Sequence, residues 1–255
     1  MTSTQPALYP DALSDFEAEL RAVQETLAAA IEELGMPLGE LVHAQSKQTA
    51  PALRAALILA AGYAPHGDEQ SRRRRLYLAA ALEMLYLALH VHRLLVNAAA
   101  LEAQGEDLDR SFIGSTILAG DYCFSRAASM AAQTDSPAIV TRFAQALQTV
   151  SEGHLRALFA PEATGFDENR ALLEAGAEAA PDLAGLPAHL LPGYRAAAAA
   201  LAATLADSSL NARSLAALLP TLPADYQPRW QALAQWLMGE HTNGQDARRS
   251  PAPRS

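Results

Sequence analysis

Between positions 76 and 101 the chain offers almost no face that water would wet, and this constrains its fold more than any other feature. The stretch has no proline or glycine and is rich in leucine and alanine, so with the residues from 71 onward it reads as one long helix. A helix that is apolar on most sides has to be buried, and burying it takes other elements packed around it. One stripe breaks the pattern. Glu83, Tyr86, His90, Arg93 and Asn97 follow one another at steps of 3, 4, 3 and 4 residues and so share one helix face. The adjoining stripe of Leu82, Leu85, Leu89, His92 and Val96 is mostly apolar. Unpaired charge inside a core is costly, so the polar stripe must meet a polar cavity, paired groups or water. Spacing alone leaves open a solvent-facing stripe beside a seam for a partner helix.

The surrounding chain is helical as well. Residues 1–10 read as a loose leader with Pro6 and Pro10. Phe16, Leu20, Val23, Leu27 and Ile31 give an amphipathic helix over 13–34, stopped by Gly35 and Pro37. Residues 38–61 are mostly helical, with Pro51 as a kink or a new first-turn residue. Gly62, Pro65 and Gly67 form a loop, residues 104–107 another, and helices follow over 112–132 and 136–159. Beyond Pro161, prolines and glycines recur at Gly165, Pro181, Pro187, Pro192 and Gly193, which predicts shorter helices over 168–180, 192–206, 208–219 and 226–238. From Gly239, with Pro251 and Pro253 ahead, a disordered tail is expected. No strand of credible length and no internal repeat stands out. The reading is all-α, one domain over 11–238 between a leader (1–10) and a tail (239–255).

Charge excludes some functions. The net charge is -9, so a nucleic-acid partner, which rewards a basic face, is not expected. The run Arg72 to Arg75 turns through a full helical turn and reads as a solvated helix entrance. Cys123 is the only cysteine, so it has no partner within the chain and reads as a buried, inert thiol of a reducing compartment. No basic segment followed by an apolar run marks a signal peptide, and Glu83, Arg93 and two histidines interrupt the most apolar stretch. A cytoplasmic protein without a transmembrane segment is the expectation.

Several motifs resemble the trans-isoprenyl (polyprenyl) diphosphate synthases. Leu118-Ala119-Gly120-Asp121-Tyr122 matches that family's LAGDY signature. The helix before it in the family carries a pattern like E-x-x-H-x-A-x-L-x-H-D-D-x-x-D. Here Glu83, Ala88 and His92 match, while Tyr86 replaces a histidine and Arg93, Leu94 and Asn97 replace the three aspartates. Glu152-Gly153-His154 sits where the family has Gly-Glu, and of the upstream G-K-x-x-R-P only Arg54 is kept, with Ala50, Pro51 and Ala55 at its other positions. The resemblance spans roughly residues 40–160 and implies an isoprenoid-synthase-like helical bundle, shortened toward the C-terminus.

The resemblance also sets chemical expectations. Family enzymes hold magnesium between an allylic diphosphate and two aspartate-rich motifs. Magnesium wants carboxylate oxygens in octahedral geometry, and an arginine, a leucine and an asparagine are poor substitutes. Downstream, Asp167, Asp182, Asp207, Asp225 and Asp246 are isolated, so the second motif is missing too. Lys47, the sole lysine, lies off the pattern, and residues 97–101 lack the arginines expected after the first motif. This implies no catalytic residue and no metal in this chain, with Mg2+ expected only in a catalytic partner. Arg54, Tyr86 and Arg93 remain candidates for substrate contact. The leading expectation is a non-catalytic or regulatory subunit of a heteromeric polyprenyl diphosphate synthase, with a full-length catalytic subunit as partner, or a homodimer, serving chain elongation or product length in isoprenoid biosynthesis, such as that of quinone side chains. One alternative is a metal-independent protein that binds prenyl diphosphate or lipid on the same fold. Another is a zinc enzyme built from His90, His92, His154, Glu152 or Asp121, against which stands the two-residue spacing of His90 and His92 on one helix.

Overall fold

A computed structural model describes residues 10–47, 52–102, 110–159, 166–207 and 217–249. Among these there is no strand. The helices are α1 (Pro10–Leu34), α2 (Leu38–Ser46), α3 (Leu53–Ala61), α4 (Glu69–Glu102), α5 (Arg110–Ala132), α6 (Pro137–Phe159), α7 (Glu168–Ala179), α8 (Leu191–Ala206) and α9 (Gln227–Arg249), with short 3-10 turns at Ala180–Leu183, Leu219–Thr221 and Ala224–Tyr226. The expected 38–61 segment is two helices, and the residues around Pro51 lie outside the described set, as do 1–9 and most of the helix expected over 208–219. The last helix runs on to Arg249, eleven residues past the end expected at Met238. Gly239 alone costs only about 1 kcal/mol in a helix interior, and no proline intervenes before Pro251.

Burial explains the arrangement. Every residue of α3 from Arg54 to Ala61 is buried, so this short helix is the hub, packed by α1, α4, α7, α8 and α9. Leu78, Leu82, Met84, Leu85, Ala88 and Val91 bury α4 against it and against α5. The segment Glu69–Leu95 is long and apolar enough to cross a membrane by length and composition, yet 67% of its window is buried inside the protein. Phe16, Leu20, Val23 and Ile31 form the buried edge of α1, as their spacing predicts. Gly35 ends that helix at φ +69°, a backbone conformation that costs glycine little.

The LAGDY residues knit the bundle. Gly120 lies against α4 so closely that a Cβ there would be 2.4 Å from Nε2 of His92. Ala119 and Cys123 are buried beside it. Burial pushes the Cys123 thiol up to about 12, which leaves it protonated and unreactive at neutral pH. The Tyr122 hydroxyl donates to the Ala30 carbonyl of α1 at 2.7 Å. In the C-terminal half, Trp230 Nε1 donates to the Tyr194 hydroxyl at 3.0 Å and the Tyr226 hydroxyl donates to the Ala184 carbonyl at 2.9 Å. These bonds serve the polar ends of rings that are otherwise buried.

One charge cluster joins the two ends of the chain. Glu19 of α1 is buried and receives Arg75 of α4 at 2.5 and 3.2 Å, together with Arg229 of α9. Arg72 approaches it at 3.5 Å from the half-exposed rim. Arg229 Nε also donates to the Leu59 carbonyl at 3.2 Å, and burial lowers this guanidinium to about 10. Arg75 therefore departs from the reading of the arginine run as a solvated entrance. At helical spacing Arg72 and Arg75 share the face turned to α1, where Glu19 supplies the counter-charge.

Candidate functional site

The polar stripe of α4 faces other helices, with Glu83 buried, Tyr86 and His90 partly buried and Arg93 half-exposed. Opposite it stand the first turn of α3, the first turn of α7 and the C-terminal part of α6. Arg54 opens α3 and donates to Glu83 Oε2 through Nε at 3.1 Å and Nη2 at 2.7 Å. Its Nη1 donates to Asn169 Oδ1 of α7. Glu83 Oε1 accepts the Ala55 backbone N–H at 2.9 Å, so one carboxylate serves both a buried guanidinium and an orphan amide at the start of α3. The Arg54 guanidinium lies 3.6 Å from the centre of the Tyr86 ring, a stacked cation–π contact. Burial raises the Tyr86 hydroxyl above its ordinary value.

One turn further along, a second carboxylate gathers the rest. Glu168, in the first turn of α7, is buried. It accepts a hydrogen bond from Arg93 Nη2, faces His154 Nε2 at 3.0 Å and lies 3.6 Å from His90 Nδ1. His90 Nδ1 is also 3.1 Å from the Tyr86 carbonyl oxygen, to which the neutral ring donates. Burial lowers the His90 imidazole below its ordinary 6.5, and the positive Arg93 adds to that. Two arginines thus meet two carboxylates, and the cluster is neutral without any outside ion.

The lowered His90 value makes stability depend on pH. The unfolded chain binds this proton more readily than the folded one, so stability is complete above the unfolded value and is lost as pH falls below about 6.5 toward the folded one. The expected result is a melting temperature that drops between about pH 7.5 and about pH 5.5 by less in His90→Gln than in the native chain. Equal drops in thermal melts would show that His90 is not the group responsible.

Of the three candidates, Arg54 stacks on Tyr86 and pairs with Glu83, while Arg93 pairs with Glu168 one turn further along α4. Leu94 is partly buried, and the Asn97 side chain lies outside the described residues. His92 is elsewhere, stacked on Phe124 at 5.1 Å and 3.4 Å from Asp121 Oδ1. Glu152 pairs with Arg156 on the outer side of α6. The zinc reading is thereby corrected: His90 and His154 both approach Glu168, but His92 with Asp121, and Glu152, stand elsewhere, and among the described residues no three His, Cys, Asp or Glu side chains are arranged to hold a metal. The donors do not fit magnesium either. Around Glu168 stand a guanidinium and two imidazoles, where Mg2+ would need further oxygens. Sequence reasoning missed Glu168 and Asn169. Their only local signal is Asp167, which caps α7 by accepting the Arg170 N–H at 3.0 Å and so fixes where the helix starts. A surface cavity of about 350 Å3 opens elsewhere, beside Glu19, Tyr63, Arg72 and Arg229.

A buried hub helix, a long apolar helix with a polar stripe and a LAGDY helix against it define the all-α trans-isoprenyl diphosphate synthase fold, and the chain has that fold. Solved structures of that kind match it over most of its length. A polyprenyl synthase from Caulobacter crescentus CB15, complexed with calcium and isoprenyl diphosphate, is 16% identical with a TM-score of 0.59, over 91% of this chain and 98% of that one. A geranylgeranyl pyrophosphate synthase from Lactobacillus brevis ATCC 367, complexed with citrate, is 17% identical with a TM-score of 0.58, over 92% of this chain and 86% of that one. A second structure of the geranylgeranyl pyrophosphate synthase from Lactobacillus brevis ATCC 367 gives 15% identity and a TM-score of 0.56, over 94% of this chain and 92% of that one. No family model matches the sequence, and no curated protein does.

Proposed function

We propose that this chain is a non-catalytic or regulatory subunit of a heteromeric polyprenyl diphosphate synthase, supporting elongation or setting product length in isoprenoid biosynthesis beside a full-length catalytic chain. The observation that carries the reading is the pairing of Arg93 with Glu168: the synthase fold is kept, but the central polar cluster is neutralised by its own side chains. A site that transfers prenyl groups with magnesium needs carboxylates free to hold the metal. Here Glu83 is committed to Arg54, and Glu168 to Arg93 and His154.

A partner also needs a surface. Leu85, Ala88 and Val91 of α4 are consumed by the chain's own core, so α4 offers little there. The outer faces of α5 and α6 remain, with Ile117, Leu118, Val140, Leu155 and Phe159 exposed. Leu118 is 62% exposed although it belongs to the signature, which suits a contact outside the chain. The test is co-expression with a full-length polyprenyl diphosphate synthase from the same genome, followed by size-exclusion chromatography and analysis of product length. Co-elution with restored activity or a shifted product length is the expected outcome. Separate elution with unchanged products would falsify the reading.

A further inference from the structure

The geometry points to Glu168 as a tethered anion: its carboxylate occupies an anion site made by the Arg93 guanidinium and His154, with the neutral His90 ring alongside, and keeps free oxyanions out of it. Three helices build that site. Arg93 and His90 come from α4 and His154 from α6, while the carboxylate enters from α7. Each Glu168 oxygen has a donor on it, Arg93 on Oε1 and His154 at 3.0 Å on Oε2. His90 closes the third side at 3.6 Å. The His154 ring is itself held edge-on by Phe166 at 5.5 Å, and Phe166 fits only because residue 153 is glycine, where a Cβ would lie 2.4 Å from the Phe166 ring. Arg54 lies on the other side of Tyr86 and is fully engaged by Glu83 and Asn169, so it does not share Glu168. Guanidinium and imidazole donors converging on one point suit a carboxylate or a phosphate oxygen equally well. The carboxylate carried by α7 has an advantage over any free anion because it is always present at the site. The inference concerns this chain alone and holds whether or not it has a partner subunit.

The test is titration calorimetry of the full chain with inorganic pyrophosphate, without divalent metal. Glu168→Gln removes the resident charge but keeps the shape, and should bind pyrophosphate roughly tenfold or more tightly than the native chain, the effect of one charge at a partly buried site. Adding Arg93→Gln to that variant should return affinity to the native level. Arg93→Gln in an otherwise native chain should change nothing, because Arg93 is already occupied. That arm remains informative if Glu168→Gln fails to fold. No gain in Glu168→Gln, a gain that survives loss of Arg93, or weaker binding in Arg93→Gln alone would each overturn the proposal.

Discussion

Glu19→Ala is expected to destabilise the protein by about 3–5 kcal/mol, the cost of leaving buried charge without its partner. Glu19 is the carboxylate through which Arg75 and Arg229 are neutralised, and both arginines are almost fully buried. Arg229 is already lowered to about 10 by burial, which reports how poorly solvated it is. For a chain of this size the loss corresponds to roughly 10 °C in melting temperature. Urea unfolding should show a lower midpoint with an unchanged slope. Replacing all three side chains together, as Glu19→Met with Arg75→Met and Arg229→Met, should recover most of the loss, since apolar side chains of similar volume can replace buried ion clusters at little cost. A Glu19→Ala protein as stable as the native one would mean that water reaches the arginines.

Glu83→Ala is the second large effect, again about 3–5 kcal/mol. One carboxylate there holds the buried Arg54 through two bonds and caps the Ala55 N–H at the start of the hub helix. Its loss leaves a guanidinium stacked on Tyr86 with only Asn169 to receive it, and an amide with no acceptor. Glu83→Gln should cost less, because an amide oxygen can still accept one of the three bonds. Thermal melts of the two variants order these costs. Equal losses in Ala and Gln would assign the effect to charge alone.

How far the sequence revealed this depends on the reach of each interaction. Helices α1, α4, α5 and α6 were legible because periodic burial leaves a local trace, and the stripe from Glu83 to Arg93 was legible because helix spacing places those residues together. The motifs spanned roughly residues 40–160, whereas the structural likeness extends over more than nine-tenths of the chain. The ion-pair partners left no such trace. Arg93 meets Glu168 across 75 residues, and Arg75 meets Glu19 across 56. Nothing in the text of an arginine run says which member will find a buried carboxylate. For the same reason nothing in the sequence after Phe159 distinguishes Glu168, which pairs with Arg93, from the isolated aspartates around it.

The Glu19 cluster also imposes an order on synthesis. Arg229 lies 210 residues after the glutamate it reaches. On the ribosome, α1 through α8 emerge and can assemble while Glu19 has only Arg75 and the more distant Arg72 to hold, and the face carrying Phe16 still lacks the ring contact that Trp236 provides. A nascent chain therefore carries an unfinished edge until α9 emerges, with Glu19 short of Arg229 and Phe16 short of Trp236.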